Sequence, residues 1–184
     1  MVGRQGILLA AASVFAERGY SATTLRNIAD HAGIKAGSVY HHFSSKDELF
    51  ATVLDHGMTA MDEAFDRGDG SLCGQVRAHL GALFEHGPYT TAHVTAFFTT
   101  PADVREASVP HRDSYEAKWQ RLLAGLLPRL DDDQVQLHRL LLLGAMNSTV
   151  EWFDPTGDVT LDQLAHLVTE QFLHGVTTSP TQSV

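Results

Sequence analysis

Apolar positions along this chain recur every three or four residues, and no stretch alternates for long enough to suggest a strand. Ile7, Leu8, Ala11, Val14 and Phe15 share one helical face, which Gly19 ends at a left-handed cap position. Thr23 or Thr24 then caps a short helix in which Leu25, Ile28, Ala29 and Ala32 repeat at i, i+3, i+4 and i+7, and Gly33 closes it. After a tight turn a third helix is expected from about Lys35 to Phe43, with Val39 and Phe43 four apart on its inner side. Ser44 with Asp47, or Ser45 with Glu48, forms a capping pair for a long fourth helix to about Asp66.

Gly, Pro and Asp clusters at "RGDGS", "GPYT", "TTPAD" and "SVP" punctuate the rest of the chain. Helices are expected at about 71–86, 89–99, 102–127 and 133–153. The last, about 161–174, opens on the capping box Thr160 to Gln163 and stops at Gly175. The pattern predicts an all-α chain of about nine helices with three parts. These are a three-helix head over residues 1–46, a larger body over 47–176 and a disordered tail over 177–184.

The predicted head has its own chemistry. Two short helices joined by a glycine turn and packed on a third make a helix-turn-helix, whose second helix enters the major groove of DNA. Opposite Val39 and Phe43, the third helix presents Ala36, Gly37, Ser38, Tyr40 and His41. Small residues at its start permit close approach to base edges, and Tyr40 and His41 can hydrogen-bond bases or phosphates. His42 lies near the helix end, where it can face DNA or bond locally. Lys35 at the helix start, Lys46 at the foot of the next helix and Thr24 at the start of the second complete the candidate DNA-facing set.

Charge supports a distinct head. The whole chain carries −9, yet residues 1–46 hold five cations against two carboxylates, a net +3 that leaves −12 for the remainder. The other composition data mainly exclude. At 184 residues the chain can build a substantial core, and no apolar run approaches the ~20 residues of a membrane span. One cysteine, Cys73, allows no internal disulfide and fits a reducing cytoplasm. Eleven histidines are scattered without ligand spacing, so neither metal nor cofactor is expected. No glycine-rich phosphate loop, G-x-S-x-G elbow or cysteine–histidine arrangement suggests an enzyme.

The N-terminal fifty residues closely resemble the TetR family of transcriptional regulators. The positions that carry the resemblance are Ile7-Leu8, Ala10-Ala11, Phe15, Glu17, Gly19-Tyr20, Ala22-Thr23-Thr24, Ile28-Ala29, Ala32-Gly33, Gly37, Tyr40, His42-Phe43, Lys46 and Leu49. The resemblance implies a repressor that binds a palindromic operator as a homodimer. Tyr40, His41, His42 and Lys46 would face DNA, with Thr24 and Lys35 as further contacts. It also implies pairing through the last two helices, which are rich in leucine, and release by a small-molecule effector bound in the body. Phe97, Tyr115, Trp119 and Met146 are the candidate effector-binding residues, although ordinary core packing explains each of them individually.

A second resemblance narrows the effector. "NSTVEWFDPTG", residues 147–157, is similar to a segment N-W-x-x-x-W-Y-x-P-x-G of a TetR branch associated with fatty-acid and steroid catabolism, with Ser148 in place of the usual aromatic. That branch implies an acyl-CoA effector, for whose phosphates Arg105, Arg112 and Arg121 are candidate anchors. The competing reading is a dimeric helical metabolite-binding or enzymatic module whose helix-turn-helix is vestigial.

Overall fold

The computed structural model describes residues 2–177, so the expected tail lies outside the described residues from position 178 onward. The described chain is all helical. Its α-helices are α1 (Arg4–Arg18), α2 (Leu25–His31), α3 (Ala36–Tyr40), α4 (Lys46–Arg67), α5 (Leu72–Glu85), α6 (Gly87–Ala96), α7 (Ala102–Arg105), α8 (Val109–Leu126), α9 (Asp132–Ser148) and α10 (Leu161–Thr177). Short 3₁₀ turns follow α6, α7 and α9. No helix among the described residues is long and apolar enough to cross a membrane.

Several boundaries differ from expectation, and two of them have a clear local cause. The third helix ends at Tyr40 instead of Phe43, because the amides of His42 and Phe43 both turn back to the Val39 carbonyl, at 2.9 and 3.0 Å. The segment expected as one helix over 102–127 is split by the 3₁₀ turn Glu106–Ser108. Pro110 explains the split: without an N–H it cannot bond the Glu106 carbonyl, but it is tolerated in the first turn of a new helix. The helix expected over 133–153 ends at Ser148 and continues as a 3₁₀ turn, Thr149–Glu151.

Caps secure the elements that matter for the head. Gly19 and Gly33 take positive φ of 72° and 66°, a region that side chains with a Cβ resist. Thr24 and Asn27 cap α2 reciprocally: the Thr24 hydroxyl accepts from the Asn27 amide at 3.1 Å, and the Asn27 side chain accepts from the Thr24 amide at 3.0 Å. At α4 the Ser45–Glu48 alternative holds, with Ser45 Oγ accepting from the Glu48 amide at 3.0 Å. The Glu48 carboxylate reaches back to the Ser44 amide at 2.7 Å, and bonding to Ser44 holds it below the usual carboxylate range.

The chain folds into two compact units. Among the described residues, the first falls within 1–63 and 85–116 and the second within 64–84 and 117–184. The expected head, 1–46, lies wholly within the first. That unit has a continuous apolar core of Ile7, Leu8, Val14 and Phe15 from α1, Ile28 and Ala29 from α2, Val39 and Phe43, Leu49, Phe50, Val53 and Leu54 of α4, and Ala92, Ala96 and Phe97. The second unit buries Val76, Leu80 and Leu83 of α5, Trp119 and Leu123 of α8, Leu142 and Met146 of α9, and Leu164 and Ala165 of α10.

Candidate nucleic-acid interface

The sequence places α3 astride a core and a surface, and the structure shows how sharply the two are divided. Val39 and Phe43 are 0% and 1% exposed, whereas Tyr40, between them in sequence, is 60% exposed. A phenol left in water on a five-residue helix gains nothing from the fold that holds it. His41 and His42 are also exposed, in the turn that follows α3. Lys35, Gly37 and Thr24 are exposed; Ala36 and Ser38 are half-buried. A Cβ added at Gly37 would meet nothing within 4 Å, so this position opens onto free space. The arrangement is a short polar ridge backed by an apolar floor.

Two members of the expected set have additional contacts. Thr24 caps α2 while remaining exposed. Lys46 is half-buried, and its ammonium donates to the backbone carbonyls of Tyr20 at 3.0 Å and Thr23 at 3.1 Å. It also lies 3.9 Å from the centre of the Tyr20 ring. Arg4 is the first residue of α1, with its guanidinium 4.7 Å over the Phe43 ring, and so belongs to the folded head.

A polar group that sequence reasoning passed over sits in the second unit. His79 of α5 is 2% exposed, and its Nε2–H donates to Asn147 Oδ1 of α9 at 3.0 Å. Burial pushes the imidazole down to about 4, an effect the Asn147 bond opposes only in part. Trp119 packs edge-on against His79 and against Phe65, with ring centres 6.0 and 5.2 Å apart. An isolated histidine on an apolar helix gave no spacing signal; only the match of Asn147 to a family segment pointed at this neighbourhood. Of the four effector candidates, Phe97 is 2% and Tyr115 3% exposed in the first unit, while Trp119 and Met146 are fully buried in the second. The candidate phosphate anchor Arg112 pairs with Glu116 at 2.5 Å and stacks over Phe97 and Phe98, and Arg121 is exposed. Among the described residues no group of three or more His, Cys, Asp or Glu is placed to hold a metal ion.

On the α9–α10 side of the second unit lies an open apolar groove of about 450 Å³, lined by Leu141, Ala145, Trp152, Leu164, Leu167 and Phe172 among others. Leu141 is 70% and Trp152 63% exposed, values unusual for such side chains on a finished surface.

Comparison with known proteins decides what this architecture is. Residues 7–53 match the family of bacterial regulatory proteins of the tetR type, and residues 69–176 match the tetracyclin repressor-like C-terminal domain. The chain belongs to the TetR family. It is 33% identical to the HTH-type transcriptional repressor KstR2 of Rhodococcus jostii RHA1, over 88% of this chain and 85% of the relative. It is 32% identical to the KstR2 repressor of Mycobacterium tuberculosis H37Rv, over 95% and 93%. The solved structure of the M. tuberculosis ketosteroid transcriptional regulator KstR2 superposes with a TM-score of 0.72, covering 94% of this chain and 93% of that one at 28% identity. A TetR-family regulator from Bordetella parapertussis 12822 reaches a TM-score of 0.82 over 97% and 98%, and at 23% identity it speaks for the fold alone. This TetR chain is thus a DNA-binding transcriptional repressor with a helix-turn-helix, and not an enzyme.

Proposed function

We propose that this repressor binds a palindromic operator as a homodimer and is released by a small hydrophobic or acyl-CoA-type effector. The observation that carries the reading is the exposure of Tyr40, His41 and His42 beyond a floor formed by Val39 and Phe43. Ala36, Gly37 and Ser38 would admit the start of α3 to the major groove, Tyr40, His41 and His42 would meet base edges or phosphates, and Thr24 and Lys35 would fix the register on the backbone, with Lys46 at the margin of the surface. One such unit reads few base pairs, so useful specificity requires two copies on a two-fold site. The apolar groove between α9 and α10 supports pairing through these last two helices.

Two observations bear on the effector class. The relatives carry the name of a ketosteroid regulator, and the segment from Asn147 to Gly157 resembles a fatty-acid and steroid catabolism branch. A steroid-derived or other acyl-CoA fits both. Trp119, Met146 and the neutral His79–Asn147 pair would offer it an apolar surround with one hydrogen-bonding edge. Release requires only that the effector prefer a head spacing unsuited to DNA; a ~100-fold effect needs about 2.7 kcal/mol of differential affinity.

Mobility-shift titrations test the DNA reading. His41→Ala and Tyr40→Phe should weaken binding to the operator by roughly tenfold or more, and to an unrelated duplex by much less, as expected where a side chain reads bases. Unchanged operator affinity in both variants would remove Tyr40 and His41 from the interface.

A further inference from the structure

Lys46 has the sequence position of a phosphate contact, yet its ammonium faces the protein. Two of its three donors meet the carbonyls of Tyr20 and Thr23, and the charge lies against the Tyr20 ring face. The neighbouring Asp47 also reaches back, accepting a hydrogen bond from the Tyr20 hydroxyl. Ser45 and Glu48 already cap the start of α4, so neither residue is needed there as a cap. Tyr20 is therefore gripped on its face by a cation and at its hydroxyl by an anion, from two successive positions of one helix. Its ring is seated against the core, 5.0 Å from Phe50 and 6.3 Å from Phe15 between centres. The turn it belongs to, from Gly19 to Thr24, ends in the cap of α2.

We propose that Tyr20, Lys46 and Asp47 form a latch that seats the reading pair α2–α3 on the foot of α4, and that Lys46 supports operator binding through Tyr20 instead of through a phosphate. Tyr20 is then a positioning residue: it touches no DNA, but it sets where α2 begins. The inference rests on the operator reading above. The cost of losing the latch falls on register, so it should appear on the specific site and much less on unrelated DNA. A phosphate contact behaves in the opposite way, weakening all duplexes alike and lowering the salt dependence of binding by about one counterion.

The full-length dimer with Lys46→Gln, Tyr20→Leu and both together separates the two. Amide hydrogen exchange over residues 19–24, measured without DNA, should accelerate in each single variant. Operator affinity should fall roughly tenfold in each, unrelated-duplex affinity about threefold or less, and the double variant should be little weaker than the worse single, since both remove one device. The slope of affinity against salt should stay unchanged. Should Tyr20→Leu fail to fold, Tyr20→Phe, which keeps the ring and loses only the bond to Asp47, carries the same expectations in the same direction. Unaltered exchange in Lys46→Gln, or a salt slope reduced by one with equal weakening on both duplexes, overturns the latch. The exchange result does not depend on DNA, so it stands apart from any failure of His41→Ala to affect the operator.

Discussion

Single residues show how burial sets chemistry in this protein, and His79 is the clearest case. It is fully enclosed and depressed to about 4 by burial, so it stays neutral in the fold at every physiological pH. The unfolded chain takes up this proton near 6.5, while the folded chain refuses it until about 4. The stabilisation is therefore complete above 6.5 and is lost as pH falls between those values, on the order of 3 kcal/mol in all and about 2 kcal/mol by pH 5. Urea unfolding at pH 7 and pH 5 should show the wild type losing about that much more stability than His79→Gln; equal losses would mean that the imidazole titrates normally. Its neutrality has a use in the proposed effector site, because a neutral ring adds a directional hydrogen bond without placing a charge among Trp119 and Phe65.

Helix α4 makes an analogous demand at the scale of an element. A Cβ on Gly57 would come within 2.6 Å of the Tyr89 carbonyl oxygen and 3.0 Å of its carbon, both backbone atoms of α6. Gly57→Ala gains about 1 kcal/mol of helix propensity but must push two backbones apart, an overpacking cost of about 1–3 kcal/mol. The clash wins, and thermal melting should fall by a few degrees, whereas Gly37→Ala, which meets nothing, should not lower it. A one-dimensional pattern shows both as glycines inside helices and cannot tell which of them another helix approaches. The all-helical class, the helix-turn-helix and the core face of α1 to α3 were legible because they repeat locally, with Ile28, Ala29, Val39 and Phe43 each at helical spacing. The end of α3 and the start of α8 were not, because Val39 takes two amides and Pro110 withholds one. Lys46 shows the same limit: the carbonyls its ammonium meets lie twenty-three and twenty-six residues away, beyond any local rule.

At the scale of the whole molecule, α9 and α10 leave an apolar groove with Leu141 70% exposed, the surface through which the chain is proposed to pair. Leu141→Glu should convert the dimer to protomers in sedimentation velocity, raising the dimer dissociation constant about 100-fold or more through a desolvated charge facing its own copy. Operator binding should fall with it while the head keeps its melting transition; a stable Leu141→Glu dimer would move the pairing surface elsewhere. Charge adds to this picture: with +3 on residues 1–46 and −12 on the rest, the balance favours a duplex at the head over the body. Pairing through that groove would also make the repressor a counter of its own abundance. Where protomers are scarcer than their dissociation constant, occupancy of the operator rises with the square of their number, so a twofold change in expression becomes a fourfold change in silencing before any effector arrives.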